Sequence, residues 1–187
     1  MVQKIIRITL ICFLLITGIS SSLYSQLYKQ IEGKVRFFSE ATIEDIEANN
    51  EKALCRLRAS DSSIVVMITN TAFNFEKPLM EEHFNENYME SEKYPHSIFK
   101  GKVTNGMDFS QDGEYHVTVK GTLSIHGVEK EREFKGIITK KGDDLTLHTV
   151  FEVTVAEHGI EVPSLYIENI AEVVEVTADF KLTLSKK

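Results

Sequence analysis

The chain has 187 residues, 42% of them hydrophobic and 26% charged, and a formal net charge of −7. This composition suits one folded domain with its own core and excludes long-range disorder. The acidic excess argues against a nucleic-acid partner and against docking on anionic lipid heads, both of which reward a basic surface.

The first residues read as a leader. Lys4 and Arg7 precede an apolar run from Ile8 to Ile19, and the small and polar stretch SSLYSQ follows. That is the layout of a secretory signal peptide over residues 1–25, with cleavage expected between Ser25 and Gln26. An uncleaved anchor is the alternative. The run falls short of the roughly 20 apolar residues that a bilayer span requires, so no stable span is expected after cleavage. Cys12 lies inside the run, and Thr9-Leu10-Ile11 before it lacks the small residue that precedes a lipidated cysteine. The remaining chain, 26–187, reads as one domain, with no repeat, no low-complexity tract and only three prolines, Pro78, Pro95 and Pro163. Without Lys4 and Arg7 its net charge is about −9. Its single cysteine, Cys55, allows no internal disulfide. Cys55 alternates with Ala53, Leu57 and Ala59 while Arg56 and Arg58 face the other way, which marks a small buried strand residue and not a reactive thiol.

Period-2 alternation dominates the mature chain, the pattern of strands with one buried face. The weaker candidates are Lys34–Ser39, Ile43–Ala48, Ala53–Ala59, Ile64–Thr69, Phe99–Thr104 and, beyond the first strong one, Glu133–Thr139. The strong ones are three. Tyr115, Val117, Val119, Leu123 and Ile125 share a face with Gly121, against His116, Thr118, Lys120, Thr122, Ser124 and His126. Leu145, Leu147, Phe151, Val153 and Val155 form the second set. Val174, Val176, Ala178, Phe180, Leu182 and Leu184 form the third. Gly121 interrupts an apolar face, as at a barrel corner. Turn signals separate the strands at Asp61-Ser62-Ser63, Asn105-Gly106, Asp112-Gly113 and Gly142-Asp143-Asp144. About eight short antiparallel strands with one-sided apolar faces predict an all-β fold, a closed barrel or a two-sheet sandwich.

One segment departs from this pattern. Pro78 suits the first position of a helix, Glu81 and Glu82 suit its first turn, and Met80, Phe84 and Tyr88 form an i, i+4, i+8 apolar stripe. Pro78–Tyr88 is therefore expected to be one short amphipathic helix that closes a barrel end or packs on its wall. His83, Glu86 and Glu90 raise a second reading, a metal site, because histidine and carboxylates are legitimate ligands. HExxH and any Cys pair are absent, and in an acid-rich chain glutamates near a histidine are expected by chance, so a solvated helix face is the simpler account. His116, His126 and His148 point away from the apolar faces, and His126-Gly127 reads as a strand-ending turn. No GxSxG phrase and no phosphate-binding glycine loop occurs.

Two blocks of residues carry a family resemblance. The first is Glu82-His83-Phe84, then Tyr94-Pro95 and Phe99. The second is Leu123-Ser124-Ile125-His126-Gly127-Val128. With the closing strands FEVTVAEHGIEVP and AEVVEVTADFKLTL, the chain resembles the YceI-like (lipid/polyisoprenoid-binding) family from about Ile31 to Leu184. The resemblance implies an exported bacterial protein with a lipocalin-like antiparallel β-barrel and one short helix. It implies no metal, no other cofactor and no catalysis, and for some members an isoprenoid chain held in the barrel. The sequence departs from the family at two places. Many members carry Arg-Asp-x-His where Glu82-His83 stands, and Val155–Ile160 lacks the arginine of an Arg-x-Asp-Phe-Gly phrase. Polar contacts to a ligand head group therefore do not carry over.

Three functions follow as expectations. The first is a non-catalytic binding protein, periplasmic or secreted, for an isoprenoid or fatty-chain lipid. Its cavity would be lined by Tyr115, Val117, Val119, Leu123, Ile125, Leu147, Phe151, Val153, Phe180 and Leu182, with Phe73, Phe75, Phe84 and Phe99 near one end. The same side chains could instead fill the barrel, because eight-stranded interiors lie at the margin between packed and hollow. The second is a metal-dependent enzyme using His83 and the neighbouring glutamates. The third is a structural or partner-binding barrel with a filled core. Homo-oligomers stay open.

Overall fold

A computed structural model describes residues 26–40, 45–161 and 172–185. The expected leader lies outside these residues, with Cys12 and the cleavage position, as do Ile43 and Pro163. The described chain forms ten strands: β1 (Leu27–Ser39), β2 (Ile46–Asn50), β3 (Leu54–Arg58), β4 (Ser63–Thr69), β5 (Asn74–Phe75), β6 (His96–Val103), β7 (Gly113–Ile125), β8 (Val128–Lys141), β9 (Asp144–Thr154) and β10 (Val173–Leu184). Eight of them close an antiparallel barrel in the order β1-β3-β4-β6-β7-β8-β9-β10, and β10 pairs back onto β1 from Tyr28↔Leu184 to Phe38↔Glu175. The expected all-β barrel is what forms. The remaining strands, β2 and β5, make a short flap at one end. There the last residues of β1, Val35–Ser39, pair with β2, and β2 pairs with β5.

The first strand starts at Leu27, well before the expected Lys34. A bulge explains why alternation hides it. The register shifts between Gln30 and Glu32, so the inward parity changes. Tyr28 faces in and is 2% exposed, Ile31 faces out at 58%, and Val35 faces in again at 1%. One inserted residue moves every following side chain to the other face.

Two glycine positions shape the wall. Gly121 pairs with Gly101 across β6 and β7. A Cβ on Gly121 would lie 2.1 Å from the Lys100 carbonyl oxygen, so the strands approach as only glycine allows. At the end of β7, His126 and Gly127 form a two-residue turn with φ of 51° and 74°. Two left-handed residues are what a tight type I′ hairpin demands, and they set Ile125 opposite Val128.

The β8–β9 ladder is incomplete. It runs from Lys141↔Asp144 to Gly136↔Thr149, whereas β8 pairs with β7 from Val128 to Lys140. Above Gly136, β8 is joined by side chains to β9 and to the 3-10 turn that follows it, Val155–His158. Thr149 Oγ1 donates to the Lys135 carbonyl (2.8 Å), the Phe134 and Phe151 rings meet at 4.1 Å, Arg132 pairs with Glu157, and His158 Nδ1 donates to the Val128 carbonyl (3.2 Å).

The barrel's two ends differ. At the end where β1 begins and β10 finishes, Tyr28, Leu57, Leu145 and Leu182 are 2% exposed or less and pack solidly. Phe109, from the loop before β7, covers Tyr28 at a ring distance of 6.2 Å. Lys140 Nζ donates to Asp112 Oδ1 (3.1 Å) and to the Gly142 carbonyl (2.6 Å) at the same end. The opposite end carries the flap and the helical segment, and there the barrel is hollow.

Candidate functional site

The helical segment covers the hollow end, in two parts where one was expected. Pro78–His83 is α-helix, which we call α1, and Phe84–Tyr88 is a π-helical turn. The Met89 N–H donates to the Phe84 carbonyl (2.8 Å), a five-residue step. Such a step inserts an extra residue into a turn and is frequent at functional sites. Its effect here is to bring Met89 inward as well as Tyr88, so that Met80, Phe84, Tyr88 and Met89 all line the interior. Phe84 sits at the centre of four phenylalanines. Its ring lies 5.5 Å from Phe37, 5.5 Å from Phe73 and 5.1 Å from Phe75.

Beneath α1 lies a chamber of about 560 Å³. Its walls come from β1, β4, β7, β9 and β10 through Val35, Phe37, Ile68, Leu123, Ile125, Phe151, Val153, Val174 and Val176. A second chamber of about 100 Å³ lies deeper in the barrel. Of the side chains expected to line a cavity, Phe73, Phe75, Phe84, Ile125 and Val153 border the outer chamber, and Leu123 and Phe151 border both. Phe99, Val117, Val119, Leu147 and Phe180 border the inner one. Tyr115 and Leu182 border neither. The Tyr115 hydroxyl donates toward the Asp108 and Gln111 carbonyls (3.1 and 3.0 Å), and Leu182 is fully buried in the packed end. Alternation alone cannot separate these two from the rest, because it reports the face of a strand and not the level along the barrel.

The polar residues of the outer chamber are few: Ser39, Asn70, Lys77, His83, Tyr88 and Ser97. Ser97 Oγ donates to Asn70 Oδ1 (2.9 Å), and Asn70 Nδ2 donates to the Tyr94 carbonyl (2.7 Å), so this buried pair is satisfied. Asn70 ties the start of the helical excursion to the start of β6. Sequence reading missed it, and its only signal was a polar residue ending an apolar strand.

The histidines disperse. His83 turns toward the chamber, a departure from the solvated face expected for it. Glu90 turns to His126, whose Nε2 lies 2.7 Å from Glu90 Oε2 while its Nδ1 faces the His158 carbonyl at 3.3 Å. Glu90 and His126 both hold left-handed backbones, φ 43° and 51°, and the Tyr94 ring packs edge-on against His126 at 4.5 Å. This contact latches the helical excursion to the β7–β8 turn, which no sequence spacing announced. His148 pairs with Asp179 on the outer face (2.7 Å) and His116 is exposed. Among the described residues no three His, Cys, Asp or Glu side chains come together as a metal site. Cys55 is 1% exposed, and burial pushes its thiol up to about 12, which leaves it protonated and unreactive in the folded chain. No helix among the described residues is long and apolar enough to cross a membrane.

Comparison with known proteins places this geometry. The family model of the YceI-like domain matches residues 20–182. A polyisoprenoid-binding domain from Saccharophagus degradans, described as implicated in plant cell wall breakdown, superposes with a TM-score of 0.73 at 12% identity. The match covers 84% of this chain and 98% of that one. BcnA from Burkholderia cenocepacia gives a TM-score of 0.63 at 16% identity, over 82% and 96% of the two chains. The Campylobacter jejuni YCEI protein gives 0.57 at 14% identity, over 73% and 81%. At these identities the superpositions speak to the fold. No curated protein matches the sequence.

Proposed function

The chain belongs to the YceI-like family, and from that premise we propose that it is an exported, non-catalytic protein that holds an isoprenoid or other long-chain lipid in the hollow end of its barrel. The observation that carries the reading is the outer chamber: about 560 Å³, walled by aliphatic and phenylalanine side chains, with its few polar groups set among them. Ligand sites of this size and chemistry bury most of an apolar ligand and orient it with a small number of polar contacts. Each buried methylene contributes about 0.8 kcal/mol, so a chain could be retained on apolar area alone. The polyisoprenoid-binding description of the Saccharophagus degradans domain supports the same ligand class. The apolar run before residue 26 supports export, to the periplasm or beyond the cell. The dispersal of the histidines supports binding over acid–base or metal chemistry.

The test is native mass spectrometry, with solvent extraction, of the chain purified from its own cell envelope. A stoichiometric isoprenoid or acyl species is the expected result. An unliganded mass, with no uptake of offered polyprenols or fatty acids, would overturn the reading.

A further inference from the structure

The position of the inner chamber gives it a use. It lies directly behind the outer chamber, and Val35, Ile68, Ser97, Leu123, Phe151 and Val176 border both, so these six form the waist between them. Its own wall includes Phe99, Val117, Phe134, Ala178 and Phe180. Gly136, Ile137 and Thr149 add the β8–β9 seam to that wall, and Leu57, Leu145 and Leu182, each almost fully buried, border neither chamber. Lys77, His83 and Tyr88 border the outer chamber alone, on the helical side; of the polar residues at the inner chamber, His148 is turned to Asp179 on the outer face and Thr149 is bonded to the Lys135 carbonyl. An unfilled apolar void in a barrel core lowers stability, because its lining loses contact atoms.

We propose that the inner chamber is a tail subsite, which takes the hydrocarbon end of a chain whose body lies in the outer chamber and so sets a minimum chain length. This rests on the lipid-binding reading above. An apolar protein cavity of about 150 Å³ accommodates a benzene ring, so about 100 Å³ admits roughly four carbons, close to one isoprene unit. Each buried methylene is worth roughly fourfold in affinity, so the unit that enters the inner chamber adds on the order of 100-fold. The polar residues of the outer chamber fix the direction: the head stays under α1 and the tail goes in first.

The experiment measures affinities of the delipidated chain for polyprenols lengthened from geraniol in single isoprene steps. Ala178→Leu and Val119→Phe, on different strands, each fill the inner chamber without touching the outer one. The wild-type chain should show one step on the order of 100-fold at the length that first reaches the inner chamber. Both variants should lose that step and bind shorter prenols within about twofold of wild type. Wild-type length profiles in the variants, with a raised Tm, would make the chamber a packing void and overturn the proposal. Equal weakening at every length would overturn it too. Failure of the wild-type chain to bind any prenol or fatty alcohol would overturn the lipid-binding reading itself. A readout without substitution is the methyl NMR shift of Ala178 and Val117, which should move with long prenols and not with geraniol. Equal movement with both would contradict the subsite.

Discussion

At the scale of single residues, two side chains report on the barrel's two characters. Cys55 reports on the packed part. Its thiol is raised to about 12 by burial alone, against an ordinary value of 9.0. A raised thiol binds its proton more tightly folded than unfolded. The stability it contributes is therefore whole below pH 9 and is lost as pH rises toward 12. A thiol reagent at neutral pH is expected to leave the native chain unlabelled and to label it fully in denaturant; native labelling at a free-thiol rate would contradict the burial. Phe84 reports on the hollow end. It is half-buried among Phe37, Phe73 and Phe75. Phe84→Ala should cost about 2 kcal/mol by denaturant unfolding, less than the roughly 3–5 kcal/mol of a fully buried phenylalanine. A cost below about 0.5 kcal/mol would mean that α1 is not seated on the barrel.

At the scale of elements, the close β6–β7 approach and the open β8–β9 seam make opposite demands. Gly121→Ala would drive a methyl into the Lys100 carbonyl, so a loss above about 3 kcal/mol is expected. Gly113→Ala on the same strand meets only the Tyr115 ring at 3.6 Å and serves as the control, with a change within about 1 kcal/mol. The seam depends on side chains, His158 among them. Burial pushes the His158 imidazole below its ordinary value of 6.5, with the nearby Arg132 charge adding to that and the Val128 carbonyl opposing it. The folded chain keeps it neutral while the unfolded chain takes up a proton below that pH. Its contribution is therefore present above pH 6.5 and is lost as pH falls. Glu157, lowered chiefly by its hydrogen bond from Arg132, stays ionised across this window. Hydrogen exchange, corrected for intrinsic rates, should show Val128–Lys135 opening more at pH 5.5 than at 7.5 while Gly136–Lys141 holds. Equal protection of both halves at both values would show that the seam is no weaker than the ladder.

The elements were legible from sequence where one period held throughout. The alternation of Tyr115–Ile125 and of Val174–Leu184 placed β7 and β10, and Pro78 with the Met80, Phe84, Tyr88 stripe placed α1. Features that change the period locally were hidden. The bulge at Ile31 inverted the parity of β1, the π turn drew Met89 inward, and β5, two residues long, offered too few residues to show any period. The site was legible as a set of inward faces and illegible as a volume. Phe151 and Leu182 look alike in an alternating pattern, and only closure of the barrel shows one beside a chamber and the other inside a packed floor. The Glu90–His126 latch joins positions 36 apart in sequence, which no local pattern can report.

At the scale of the whole molecule, the barrel is solid at one end and hollow at the other. Closure of β10 onto β1 joins the two ends of the eight-stranded wall, leaving unpaired edges at the β5 flap and along the upper β8–β9 seam. The packed floor of Tyr28, Leu57, Leu145 and Leu182 carries the stability of a chain whose one described thiol is free. The hollow end is thereby left unfilled, as the proposed lipid site requires. The most direct measurement of this division is peptide mapping of the chain after irradiation with a diazirine-bearing prenol. With adducts assigned to residues by fragmentation of the peptides, labelling is expected within Phe73–Met89, Leu123–Ile125 and Phe151–Val153, and not at Tyr28, Leu57 or Leu145. Adducts spread over the outer barrel face, or concentrated at the packed floor, would contradict it.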